Sequence, residues 1–401
     1  MVGHMRLIGV TLLVLLGCTE LRRPGAASDG GAGGGAGAAG RAGGGGAGAG
    51  VGGAGGEGWR ATATEGAPSA REKHVAVWTG SEMLIWGGFS LTAPLGDGYS
   101  YDPLADAWQT LPTSNAPSPR GDAVAVWSGK RLLVFGGEAG GTALDDGGYF
   151  DVTTRTWGLL INAGPGARFA ARAVWTGSEM VIWGGRKTGN GFALGGARYD
   201  PVRDHFDALP TTGEPEPRDR HGLVWTGTEI VVWGGRGASG PLATGARLTP
   251  GAAAWAPLAT TAAPTARHGH TAVWASDRMV IWSGLTGDNR PLQDAYAWAP
   301  QANAWSPLST AGAPEPRSYQ SAVFTGREVL VWGGFEGRHF RSGGGYDPAS
   351  DRWVLMPLPG APDGRIFQSA VWTTSELIVW GGSLADAQAR FDTGGRYRPP
   401  Q

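Results

Sequence analysis

The chain has 401 residues, 41% of them apolar, with Lys+Arg 33 against Asp+Glu 34. So even a balance excludes a polycation built for nucleic acid, and it offers no general reason to expect an acidic surface as partner. A single cysteine, Cys18, excludes an intrachain disulfide and any cysteine-based metal cluster.

Taken in chain order, the first segment runs from Arg6 through an apolar stretch, Leu7 to Leu16, to Gly17 and Cys18. A cationic start, a short apolar run and a small residue make a secretory signal, too short for the roughly 20 residues that span a bilayer. Met5 gives such a signal a better start than Met1 does. The ending Leu15-Leu16-Gly17-Cys18 resembles the bacterial lipobox, whose cysteine is diacylated and becomes the mature N-terminus. That resemblance makes Cys18 the expected lipid attachment site; an ordinary signal with a chance cysteine is the alternative. Thr19, where an aspartate would retain the protein at the inner membrane, implies an outer-membrane lipoprotein. Residues 19–58 are nearly all Gly and Ala, which explains much of the Gly 72. Such a stretch buries too little apolar surface to offset its ordering entropy. It is expected to be a disordered tether with a reach of roughly 35 Å.

From residue 59 to residue 401 one pattern returns about every 49 residues, a spacing typical of propeller repeats. Each copy opens with an arginine: Arg71, Arg120, Arg168, Arg218, Arg267, Arg317, Arg365. Seven residues on stands an aromatic (Trp78 in the first copy), eight further another (Trp86), and Gly-Gly follows, with Ser283-Gly284 the sole departure. After a variable loop comes Tyr101, Phe150, Tyr199, Leu248, Trp298, Tyr346 or Tyr397. Seven positions later stands Trp108, Trp157, Phe206, Trp255, Trp305 or Trp353.

Each copy reads as four strands. The apolar runs "HVAVW" and "EMLIW" are joined by Thr-Gly-Ser, the chemistry of a tight hairpin, and "GYSYD" and "AWQTL" make a second hairpin through "PLAD". No segment beyond the signal sustains a 3.6-residue period, so the fold is all-β. Tyr397 fills the third-strand position of the seventh copy, but no residue follows to fill the fourth. Trp59 precedes Arg71 by twelve residues, as Trp108 precedes Arg120, so the N-terminal strand is expected to complete the last blade.

Gly-Gly after an apolar strand, then Tyr, then Trp after a short turn, resembles the Kelch repeat. Seven copies in register over residues 59–401 imply a seven-bladed Kelch β-propeller of the galactose oxidase-like superfamily. Two rings of buried tryptophan would then account for most of the Trp 19, at no more than about 4–6 kcal/mol each.

The inner hairpin hardly changes between copies, whereas the loops after Gly-Gly change in length and chemistry. Loops carried on a rigid frame are where recognition is expected. The repeated arginines are assigned to the frame, satisfying carbonyls or pairing with acids between blades; an anion-binding ring is the other reading. Residues that break the repeat are the candidate ligand-binding set. Arg186, Lys187, Arg220 and Arg236 come from the third and fourth copies, and Tyr319, Phe335 and Arg338 from the sixth. Arginine forks suit carboxylates and sulfates, and the aromatics suit a sugar or peptide ring; plain solvated arginine fits the same pattern. The expected partner is a protein or an acidic glycan, with the membrane reached through the lipid anchor, and the propeller is expected to be monomeric.

His268 and His270, at alternate positions of an expected strand, resemble a metal pair without a third ligand. His74 and His221 occupy the place of His270 in their own copies, which favours a frame role. No metal and no cofactor is expected, and galactose oxidase chemistry, which needs a Cys–Tyr crosslink, is excluded with Cys18 at the N-terminus. Some bacterial periplasmic Kelch proteins act as sialic-acid mutarotases. In that enzymatic alternative Glu138 and Arg186 would supply the acid–base group and the carboxylate clamp, although the blade count differs. Otherwise no catalytic residue is expected.

Overall fold

The computed structural model describes residues 56–160, 164–385 and 389–400. The expected signal segment, Cys18 and nearly all of the Gly/Ala tether lie outside the described residues.

Each hairpin forms where the sequence places it. In blade 1 the strands Val75–Trp78, Met83–Trp86, Gly98–Asp102 and Ala107–Thr110 pair antiparallel in that order. The Thr79 hydroxyl closes the first turn by accepting from the Glu82 amide at 2.9 Å and donating to its carbonyl at 3.0 Å. The seven-residue spacing between third- and fourth-strand aromatics puts the two side chains directly opposite, as in Tyr101↔Trp108 and Tyr346↔Trp353. Seven such four-stranded sheets form. In the seventh, Gly58–Ala61 pairs with Gly394–Arg398, Trp59 facing Tyr397, so the N-terminal strand completes the last blade.

Second strands are buried along nearly all of their length, whereas first strands are largely half-buried, with buried residues alternating in blades 1, 2 and 4. The aromatics of the second, third and fourth strands are the buried ones, as Trp86, Tyr101 and Trp108 are in blade 1; the first-strand tryptophans such as Trp78 and Trp127 are only half-buried. Each fourth-strand aromatic packs on the second-strand aromatic of the blade before it. Trp157 meets Trp86, Phe206 meets Phe135, Trp255 meets Trp183, Trp305 meets Trp233 and Trp353 meets Trp282. Trp59 on Trp332 and Trp108 on Trp380 complete the circuit across the chain ends.

Gly-Gly is required by geometry. Gly88 has φ +99, and a Cβ there would sit 2.7 Å from the Glu72 carbonyl oxygen. Ser283, the one exception, takes φ +59 and uses its hydroxyl on the next blade, donating to the Arg317 carbonyl and accepting from its amide, both at 2.8 Å.

Two details depart from expectation. Short extra hairpins, Glu138–Ala139 with Thr142–Ala143 and Arg236–Gly237 with Gly240–Pro241, stiffen the loops of blades 2 and 4. The fourth strand of blade 4 is only Ala256–Pro257 and starts after Trp255.

Candidate functional site

A blade's first strand begins and its second strand ends on one face of the disc, so the repeat arginines, the residues after Gly-Gly and the variable loops share that face. All seven repeat arginines are buried, at 0–2% exposure. Each side chain works inside its own blade: Arg120 donates from Nη1 to the Gly136 carbonyl at 3.2 Å and from Nε to the Ser118 carbonyl at 2.8 Å. The expected acid pairing is present but does not bridge blades. Arg71, Arg120 and Arg267 pair with Asp97, Asp146 and Asp294 of their own third-strand approach. In blades 3, 4, 6 and 7 that place offers Gly195, Thr244, Ser342 and Thr393, whose carbonyls accept instead. Burial without a paired carboxylate lowers the pKa of Arg168, Arg218, Arg317 and Arg365 to about 10. They remain charged at neutral pH.

Two residues further on the backbone turns left-handed in every blade. Lys73, Asp122, Ala170, Arg220, Gly269, Tyr319 and Phe367 have φ between +50 and +63. Such a conformation costs an ordinary residue about 1–2 kcal/mol. It is held by amides donating from blade to blade: Asp122 to the Lys73 carbonyl, Ala170 to Asp122, Gly269 to Arg220, Tyr319 to Gly269 and Lys73 to Phe367, at 3.0–3.2 Å. This collar surrounds the mouth of the central channel, with variable side chains on an invariant backbone.

The collar side chains pair with one another. Lys73 forms an ion pair with Asp122 at 2.8 Å and lies 5.1 Å from the centre of the Phe367 ring. Burial would lower the Lys73 pKa, but Asp122, with Glu72 and Glu138 beyond it, holds it above the usual lysine value. Phe367 stacks at 5.4 Å on Tyr319, whose hydroxyl accepts from Arg220 Nη1 at 2.8 Å. Arg220 and Tyr319 thus reach each other past Gly269 of the intervening blade, where no side chain stands between them.

The basic sector expected from blades 3 and 4 is assembled, around a residue that sequence reasoning missed. Asp219, 2% exposed, accepts from Arg186 Nε at 2.6 Å and lies 3.8 Å from Arg220 Nε. Its backbone pairs in both directions with Arg236. Oδ1 of Asp219 is buried and accepts no hydrogen bond from the described residues. The signal was faint: Asp219 stands directly after a repeat arginine, where the other copies carry Glu72, Gly121, Phe169, His268, Ser318 and Ile366.

The other candidates are more dispersed. Lys187 is exposed and lines a depression of about 360 Å³ with Pro165, Gly166, Ala167, Thr188 and Leu194. Phe335 is half-buried and packs on His339 at 4.9 Å; Arg338 is exposed and forms an ion pair with Glu315. Glu138, its pKa raised by burial, has Lys73 and Asp122 as charged neighbours, whereas Arg186 turns to Asp219. The two therefore turn to different charged partners.

His268 and His270 do not stand on a strand: Gly269, at φ +63, separates them and the strand begins at Thr271. The expectation of a shared strand face is corrected accordingly. His74, His221 and His270 set their rings edge-on to Trp380, Trp183 and Trp233 of the preceding blades, at 5.1–5.4 Å. Burial pushes all three well below the usual histidine range, His74 to about 3. Among the described residues no group of three or more His, Cys, Asp or Glu is placed to hold a metal ion.

Seven sheets of this pattern, closed by the N-terminal strand, define a seven-bladed Kelch β-propeller, in general a protein-interaction module. The chain belongs to the family described as the KLHDC2/KLHL20/DRC7 Kelch-repeats domain, which it matches over residues 57–185 and 170–382. No curated protein matches it.

Proposed function

We propose that the protein is a lipid-anchored binding module of the bacterial cell envelope that takes a protein or acidic-glycan ligand on its loop face. The observation that carries this reading is the cluster of Arg186, Arg220 and Arg236 around buried Asp219, with Tyr319 ordered beside it. Arg220 stands on the backbone collar, which fixes the direction of its stem, and Asp219 orients Arg186, before any ligand arrives. Preorganised guanidinium groups lose little freedom when a carboxylate or sulfate docks. Phe367 and Tyr319 add ring faces for an apolar or sugar group.

The lipid anchor rests on Leu15-Leu16-Gly17-Cys18, and the Gly/Ala stretch behind it supplies length between membrane and propeller. The test is a glycan array together with an envelope pull-down, using residues 56–401 and the Arg220→Ala variant in parallel. A ligand captured by the parent and lost in the variant supports the reading. Equal capture by both places the binding surface elsewhere on the disc. For the anchor, Cys18→Ser should abolish labelling by a radioactive fatty acid, and persistent labelling would refute it.

A further inference from the structure

Six of the seven copies place an aromatic ring in the third strand; blade 4 places Leu248. What the ring does is clearest where blade 1 meets blade 7. The Tyr101 hydroxyl donates to Asp106, accepts from Arg396 Nη1 at 3.4 Å, and Arg396 is held by Glu376 at 2.8 Å. Asp106 in turn accepts from the Ala63 amide of blade 7 at 2.9 Å. Acid, arginine, phenol and acid thus clasp the two blades, with Arg396 only 9% exposed.

Where blade 4 meets blade 3, half of this clasp is present. Glu179 and Arg198 stand where Glu376 and Arg396 stand, but Leu248 replaces the tyrosine and Ala253 the aspartate. The turn changes with them. Its left-handed residue, at φ +50 for Asp106 and Asp204, moves to Gly251 at φ +85. Arg198 is left 3.7 Å from Glu179 and 3.5 Å from Asp207, and 31% exposed. A cleft of about 240 Å³ opens there, floored by Val181, Leu209, Ile230 and Leu248 and rimmed by Glu179 and Arg198.

We propose that this cleft is a binding site for a small phenol, whose ring takes the place of the absent tyrosine ring and whose hydroxyl accepts from Arg198 and donates to Glu179. The apolar floor suits a ring. The volume, below the roughly 300–1,000 Å³ of drug-sized sites, limits the ligand to about one ring. Arg198 keeps the donor that the tyrosine hydroxyl finds in the complete interface, and Glu179 is the carboxylate left to accept from a phenol where the counterpart of Asp106 is missing. The site lies at the end of the blades opposite the variable loops, so it is independent of the loop-face ligand.

The probe is 4-fluorophenol, followed by the broadening of its fluorine NMR signal on titration with the folded propeller. The wild type should broaden the signal with a dissociation constant in the millimolar range, as suits so small a ligand. Arg198→Met should weaken binding by about tenfold, the loss expected when a hydrogen bond to a charged group is removed. Leu248→Tyr should abolish binding and, joined with Ala253→Asp, raise the melting temperature by restoring the clasp. Leu248→Phe, which fills the same space without a hydroxyl, serves if the tyrosine variant does not fold. An unbroadened signal with the wild type, or equal broadening by a folded Leu248→Tyr or Leu248→Phe variant, overturns the proposal.

Discussion

Arg71 and Lys73 stand two residues apart at the head of the same strand, and the contrast between their two columns divides the molecule into frame and face. In the first column all seven residues are arginine, each buried and donating to carbonyls of its own blade. The second column shares a backbone conformation and nothing else: Lys, Asp, Ala, Arg, Gly, Tyr and Phe occupy it in turn. A backbone ring occupied by such variety selects no particular side chain, which leaves the side chains free to suit a ligand. The arginines have no such freedom, because each is buried and donates to several carbonyls at once.

The contrast can be broken most severely at the closure. Removing residues 58–70 deprives blade 7 of its outer strand and Trp59 of its contact with Trp332, and should cost about 4 kcal/mol or more in chemical denaturation. Next in size, Arg218→Met strips donors from the Gly234, Thr244 and Glu216 carbonyls. A loss of about 3–5 kcal/mol is expected, with ligand affinity unchanged in the folded fraction. Arg220→Ala should show the opposite pattern by isothermal titration and melting: an affinity loss of about 1.5–3 kcal/mol with stability within about 1 kcal/mol. Arg186→Ala is a poorer test of the face, since it also strands the buried carboxylate of Asp219.

Acid reads the frame through its histidines. His74, His221 and His270 are held neutral by burial, so the unfolded chain binds more protons as pH falls below about 6.5. Their stabilising contribution is complete above that pH and is lost progressively as the pH falls, toward about 3 for His74, by up to about 1.4 kcal/mol per pH unit for each. His74→Gln, matching Gln320 and Gln368 of blades 6 and 7, should reduce the slope of unfolding free energy against pH by one proton. The smallest effect is expected at Ala170, φ +50, where Gly should stabilise the protein by about 1 kcal/mol or less. A loss of stability there would mean that the collar is not strained.

The frame was legible because the chain can be aligned with itself: a period repeated seven times specifies hairpins, turn residues and the Trp59 closure together. The face was less legible for the same reason, since its positions have no repeat to check them against. Arg186, Arg220 and Arg236 were visible as departures, but Asp219, which organises them, looked like one more variable residue. The left-handed collar left no compositional trace, because lysine, tyrosine and phenylalanine rarely take positive φ and nothing local predicts that they will. Leu248 was plain as the one non-aromatic member of its column. Its consequence was hidden, because it depends on Arg198 of the neighbouring blade.

The strand Gly58–Ala61 also gives the disc a mechanical polarity. Gly58 pairs with Arg398, so a force that draws these two paired ends apart loads the hydrogen bonds one after another, as a zipper opens, rather than all at once in shear. The first casualty of tension would be four residues at the rim of one blade, leaving six blades intact. Release of the load lets the same strand return to a waiting edge, so the closure works as a mechanical fuse that resets.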